Sequence, residues 1–277
     1  MRILVSNDDG VFAPGIQVLS QALAQIGEVW IVAPDSERSA NSHALTLKQP
    51  LRLKQLGERQ FCLDGTPADC VYFGLHHVLP NKPDIVVSGI NYGANLGHDV
   101  LYSGTVAAAM EGAIYGFSAL AVSLCIPEPA GTQAAKEANF ADAASVACDL
   151  VKHIIEDPMP KGVTLNANIP FKPRGKIGGI KLCRLGYTDW SSSIIKRHDP
   201  RGKPYYWIGG ERNPLDNISD SDTNAVAAGY ISVTPIHYDI TDYRSFAYLR
   251  ELNLPGMKTI DDDLQEIPPL HPTPLSR

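Results

Sequence analysis

Asp8 and Asp9 stand side by side in Ser6-Asn7-Asp8-Asp9-Gly10, directly after the short apolar run 2–6. Two adjacent carboxylates at the end of a buried strand repel each other, and they resist desolvation unless a cation neutralises them. No Lys or Arg occurs between Arg2 and Arg38, so the neighbouring sequence does not supply that charge. A bound divalent cation would supply it, as would a distant Lys or Arg folded into the site. Ser39, in the stretch 36–41, and Asn91, at the head of 91–95, add a hydroxyl and an amide oxygen. An all-oxygen donor set of this kind suits Mg²⁺ or Mn²⁺ better than Zn²⁺, whose sites favour His and Cys. The competing reading has the two aspartates capping the next helix and favouring its positive end. Under that reading Ser39 is a loop serine and Asn91 a turn residue.

An anion would find a cradle at Ser103-Gly104-Thr105, which opens a helix rich in Ala and Gly. Free N–H groups and hydroxyls at a helix start face such a ligand, although a simple Ser or Thr cap has the same sequence. The run from Gly89 to Gly97 allows close backbone approach and brings a second amide at Asn95. His43 and His98 lie in or beside these loops and are candidate proton donors, against the blander reading of hydrogen-bonded loop histidines. His237, after Thr234-Pro235-Ile236, is a candidate to approach the cleft from the second half of the chain.

The elements that must hold these residues follow from periodicity. Runs at 2–6, 29–32 and 85–87 are short and unbroken, as in strands buried on both faces, and each ends in a polar loop. Helical spacing carries Ile16, Leu19, Leu23 and Ile26 inward after Pro14, and helices are also expected over 67–79, 103–115 and 134–155. Strands at 51–56, 60–63 and 120–124 complete an alternation that implies a Rossmann-like α/β fold. The expected architecture is three-layered, with a mostly parallel sheet and helices on both faces. Ligands of such sheets sit beyond the carboxyl ends of the strands, where the loops at 8–9, 36–41 and 91–95 would meet.

The organisation expected is a core over 1–170, an extended hairpin and C-terminal segment over 171–252, and a mobile Pro-rich tail over 253–277. The stretch 172–212 is rich in basic residues, glycine and aromatics without helical period. Lys196, Arg197, Arg201, Lys203, Tyr205, Tyr206 and Trp207 in it could attract an anion or stack a base. A contact with a partner subunit is the blander reading.

Composition narrows the function. With 277 residues, 44% hydrophobic and 19% charged, the chain is long enough for a full core. A net charge of −6 argues against a protein whose main ligand is nucleic acid. The five cysteines are scattered with no C-x-x-C pair, consistent with reduced core residues. Neither a signal peptide nor a membrane span is legible, so a cytoplasmic protein is expected.

Several separated motifs together resemble the SurE survival proteins, which are metal-dependent 5′-nucleotidases. They are Ser6-Asn7-Asp8-Asp9-Gly10, Ala33-Pro34-Asp35 through Arg38-Ser39, Gly65-Thr66-Pro67-Ala68-Asp69-Cys70, Ser88-Gly89-Ile90-Asn91 with Gly93 and Asn95, and Ser103-Gly104-Thr105-Val106-Ala107. The match resumes at Leu165-Asn166-Ala167-Asn168-Ile169-Pro170 and at Gly229 to Pro235. The resemblance implies a Rossmann-like core with Asp8, Asp9, Ser39 and Asn91 as ligands of one Mg²⁺ or Mn²⁺ per subunit. It places Asn95, Ser103, Gly104 and Thr105 near the phosphate of a nucleoside monophosphate. It further implies a homodimer or homotetramer joined through the later segments. Asp8 and Asp9 are then the catalytic pair, mainly as ligands of the cation, with either one orienting the water or attacking directly, and 3′-nucleotides and polyphosphate are further candidate substrates.

Other classes fit less well. A dinucleotide-dependent oxidoreductase should carry G-x-G-x-x-G at the first loop, where this chain has two carboxylates that would repel a pyrophosphate. An acidic-pair glycosidase needs carboxyl groups about 5 Å or more apart across a sugar, whereas Asp8 and Asp9 are sequence neighbours. A non-catalytic nucleotide-binding module would keep the cradle and show binding without turnover.

Overall fold

The computed structural model describes residues 1–127, 131–187, 189–190, 193–209, 212–213 and 218–252. The expected tail lies outside them. The elements run in the order β1 (Arg2–Ser6), α1 (Pro14–Leu23), β2 (Glu28–Pro34), β3 (Leu53–Gly57), β4 (Gln60–Leu63), α2 (Pro67–Phe73), β5 (Ile85–Tyr92), α3 (Gly104–Ile114), β6 (Ser118–Cys125), α4 (Gln133–Glu156) and β7 (Val163–Pro170). There follow β8 (Ile180–Leu182), β9 (Asp189–Trp190), β10 (Ser193–His198), β11 (Pro204–Gly209), β12 (Arg212–Asn213), α5 (Asp222–Ala227), β13 (Ile231–His237) and α6 (Ser245–Glu251).

Nine strands form one sheet in the order β3-β4-β2-β1-β5-β6-β7-β13-β8. The strands from β4 to β7 are parallel; β3 on one side and β13 on the other run against their neighbours. The sheet therefore continues past residue 170, because β8 and β13 extend its far edge.

Alternation along the central strands explains the three layers. Ile3 and Val5 of β1, with Ile85 and Val87 of β5, face a core shared with Ile16, Leu19 and Leu23 of α1 and Phe140, Ala143 and Ala147 of α4. Leu4 and Val86 point the other way, toward Cys70 and Val71 of α2 and Ala108 of α3. Strands with both faces buried read as unbroken apolar runs, which is why β1 and β5 stand out in the sequence.

The chain leaves β1 toward the α1 face and β5 toward the α3 face. That divergence opens a crevice at the carboxyl ends of two adjacent parallel strands, the usual ligand position of an open α/β sheet. Helix α1 stops at Leu23, short of the expected Ile26, which is half-buried against the core. Helix α2 gives way to a π turn over Gly74–Val78. The basic and aromatic stretch contains an antiparallel hairpin, β10 on β11, apart from the main sheet, and a short pair of β9 with β12.

Candidate active site

The first loop is shaped by its own side chains. Asn7 Nδ2 donates to the Gly10 carbonyl at 2.9 Å, closing the turn that carries Asp8 and Asp9. Gly10 has φ +98°, and a Cβ there would lie 3.2 Å from the Ser36 carbonyl carbon, so only glycine lets the second loop pass so close. The Arg38 N–H donates to the Asp8 carbonyl at 2.7 Å, which brings the 36–41 loop against the dyad. Beside it, the exposed Ser39 hydroxyl donates to Glu37 Oε1 at 2.8 Å.

The third loop arrives from β5. The Tyr92 N–H donates to Asp9 Oδ2 at 3.1 Å. Asn91 Nδ2 donates to the Gly93 carbonyl at 2.9 Å, which leaves the amide oxygen as an acceptor. Gly89, with φ +133°, supplies the close approach to β6: a Cβ would sit 2.3 Å from the Val122 carbonyl oxygen.

Helix α3 closes the crevice from the other face. Ser103 caps it, its hydroxyl accepting from the Val106 N–H at 3.1 Å. The Thr105 hydroxyl and backbone N–H both donate to the carboxylate of Asp8. Gly104 makes this contact possible, since a Cβ would lie 2.7 Å from the Asp8 Cβ and 3.0 Å from its Oδ2. Thr105 is thus turned to Asp8, while the N–H of Gly104, in the first turn, has no partner within the helix.

The electrostatics set the chemistry. Burial raises the Asp8 carboxyl above its ordinary value, against the lowering bonds from Thr105. Asp9 is pushed up to about 6, first by burial and then by the charge of Asp8. Glu37 raises both, and no Lys or Arg contributes to either. Three negative groups therefore converge where, among the described residues, no ion pair offsets the dyad. The Asn91 amide oxygen and the Ser39 hydroxyl stand on the residues adjoining those bonded to the dyad. A divalent cation with oxygen ligands fits this corner.

The remaining sequence candidates fall in different places. Asn95 is buried; its Nδ2 donates to the Ser123 hydroxyl at 2.8 Å, and its backbone N–H donates to Asn168 Oδ1 at 2.8 Å. Its carbonyl accepts from Asn166 Nδ2 at 2.8 Å and Asn168 Nδ2 at 2.9 Å. His43 Nε2 lies 2.6 Å from Oε2 of the buried Glu111 on α3, which anchors the second loop. His98 packs near Tyr187, ring centroids 5.1 Å apart. The expectation for His237 is corrected: β13 runs against β7, so His237 pairs with Val163 at the start of β7, on the rim opposite the cleft.

Four structural contributors had no role in the sequence reading. Glu37 adds charge to the dyad, and Asn166 and Asn168 grip Asn95. Asp222, fully buried, accepts from the Gly97 N–H at 2.9 Å and the Gly186 N–H at 2.8 Å, linking the third loop to the base of the arm. The two-residue spacing of Asn166 and Asn168 in an apolar strand was the available signal, since it puts two amides on one face.

A family described as survival protein SurE matches residues 3–192. The 5′-nucleotidase SurE of Geotalea daltonii is 47% identical over 251 residues, covering 91% of this chain and 98% of that protein. The 5′-nucleotidase SurE of Nitrosococcus oceani is 51% identical over 244 residues, covering 88% and 94%. The crystal structure of the SurE protein from Aquifex aeolicus superposes with a TM-score of 0.80 at 40% identity, covering 91% of this chain and all of that one.

Proposed function

The chain belongs to the SurE family, and on that premise we propose that it is a 5′-nucleotidase, hydrolysing nucleoside monophosphates to nucleoside and phosphate. It is an enzyme of the phosphomonoesterase class. The observation that carries the reading is the convergence of Asp8, Asp9 and Glu37 in a corner to which no Lys or Arg contributes. Asp8, Asp9, Ser39 and Asn91 would hold one divalent cation, Mg²⁺ or Mn²⁺. When bound, that cation supplies the charge that polarises a phosphoryl oxygen and acidifies water.

The chain's own residues do the rest. Thr105 fixes the rotamer of Asp8, and the Tyr92 N–H fixes that of Asp9, so neither carboxylate reorganises during the reaction. Asp9, the less buried of the two, is placed to orient the attacking water. Ser103, Gly104, Thr105 and Asn95 would form the phosphate side of the cleft: the Gly104 N–H would meet a phosphoryl oxygen, and Asn95 is held in place by Asn166 and Asn168. Nothing in this chemistry depends on which alcohol or phosphate leaves, so 3′-nucleotides and polyphosphate are further substrates within the proposal.

The arm supports assembly. Ile208 is 97% exposed, Ile194 71% and Trp207 63% on the β10–β11 hairpin, an apolar surface of the kind that subunit contacts cover. We read 171–252, whose β8 and β13 also complete the sheet of the 1–170 core, as the segment that carries the subunit contacts of a homodimer or homotetramer. No described helix is long and apolar enough to cross a membrane, and the five cysteines are free thiols; the cytoplasm is the compartment proposed. A panel of nucleoside 5′- and 3′-monophosphates, assayed for phosphate release with Mn²⁺, Mg²⁺ or EDTA, tests the reading. Release in metal and none in EDTA supports it, whereas nucleotide binding without release under any metal would leave a binding module.

A further inference from the structure

We propose that the ring of Tyr92 is the platform on which the nucleobase stacks, and so a specificity-determining residue of the nucleotidase reaction, on which this inference rests. An exposed tyrosine alone says little; the position and bracing of this one say more. Its backbone N–H is bonded to Asp9 Oδ2, so the ring is rooted at the dyad itself. Tyr92 is 47% exposed, yet α4 braces its ring: Lys136 Nζ lies 5.2 Å from the ring centroid, and the Phe140 ring lies 6.5 Å away at 36°. A braced aromatic with an open surface pays little entropy when a second ring docks on it.

Its direction is set by the strand. Tyr92 is in register with Leu124, which belongs to the core on the α1 and α4 side, whereas Asn91 is in register with Ser123, the partner of Asn95. Successive side chains of a strand face opposite ways. Asp8 and Gly104 meet on the α3 side of the sheet. A nucleotide with its phosphate at Gly104 and its ribose laid across Asp9 would bring its base to the side where Tyr92 stands, and this is the pose the proposal takes. Stacking tolerates any base because every base has a π face, which makes the platform a selector for nucleotides over other phosphate esters.

The test compares kcat/KM for adenosine 5′-monophosphate with that for ribose 5-phosphate, which has no base, in the parent, Tyr92→Leu and Tyr92→Phe. The ratio of the two values should fall roughly tenfold in Tyr92→Leu, the loss of one base-aromatic stack, and should recover in Tyr92→Phe. Leucine preserves most of the apolar volume against Phe140, and Tyr92→His serves as the second variant should the leucine protein not fold. A ratio within twofold of the parent's in the Leu variant, whether neither substrate or both are affected, overturns the platform. A parent that releases no phosphate from the nucleotide in any metal fails the nucleotidase reading itself, a result distinct from both.

Discussion

Thr105 donates its hydroxyl and its backbone N–H to the carboxylate of Asp8, fastening the end of β1 to the first turn of α3 across 97 positions of sequence. Those bonds favour the ionised carboxylate, burial disfavours it, and burial prevails. The carboxylate is thus held in place by bonds that do not offset its burial.

Thr105→Val keeps the shape and removes the hydroxyl donor. Bonds to charged groups are worth about 1.5–3 kcal/mol, so urea denaturation should show a loss in that range, and phosphate release should fall with it. Thr105→Ser should restore both; equal losses in the two variants would mean that packing, and not the hydroxyl, is what matters.

Gly104→Ala places a methyl group 2.7 Å from the Asp8 Cβ. Relief requires α3 or the 8–10 turn to move, at a cost of about 1–3 kcal/mol. Phosphate release should fall at least about tenfold, as misplacement of a reacting group commonly costs. An alanine variant with the parent's kcat/KM would show that the close approach is dispensable.

The pH dependence has a definite sign. Asp9 titrates near 6 in the folded chain against an ordinary value of 3.8. Between those values the folded protein holds a proton that the unfolded chain has lost, so stability in EDTA falls as pH rises through the window and levels off above it. Asp9→Asn removes the share of the decline that Asp9 causes and leaves that of Asp8, whose carboxyl burial also raises. At pH 7 in EDTA that variant should exceed the parent by up to about 3 kcal/mol, two pH units at about 1.4 kcal/mol each. Added Mn²⁺ should reverse the order. A parent whose urea midpoint relative to Asp9→Asn is the same at pH 4 and pH 7 would contradict the assignment.

Asn168→Ala should be among the costlier single changes away from the apolar core. It deprives both the N–H and the carbonyl of Asn95 of a buried partner, although Asn166 still serves the carbonyl. The orphaned N–H alone costs about 1–3 kcal/mol. Thermal denaturation measures that loss, and a shift smaller than the Ser39→Ala control's would argue that water replaces the amide.

The sequence made β1, β5 and α4 legible because both-face burial leaves unbroken apolar runs and a long helix repeats its period many times. The three site loops were legible for the same reason, since they begin where those runs end. The sequence at Thr105 marks only a helix start; that its donors also reach Asp8 depends on a distant strand. Glu37 looked like any loop acid, and its closeness to the dyad follows from the turn at Gly10. His237 was misplaced because nothing local marks β13 as antiparallel, and strand direction decides which rim a residue occupies. The return of β8 to the main sheet is a long-range pairing of a three-residue strand, too short for periodicity to report.

The most direct test of the account is phosphate release from adenosine 5′-monophosphate across a Mn²⁺ titration, comparing the parent with Asp8→Asn and Asp9→Asn. The account predicts release that saturates with Mn²⁺ in the parent and a loss in both variants beyond the 10–100-fold typical of outer-shell partners. Parent-like release from either variant at the same Mn²⁺ concentration would contradict it.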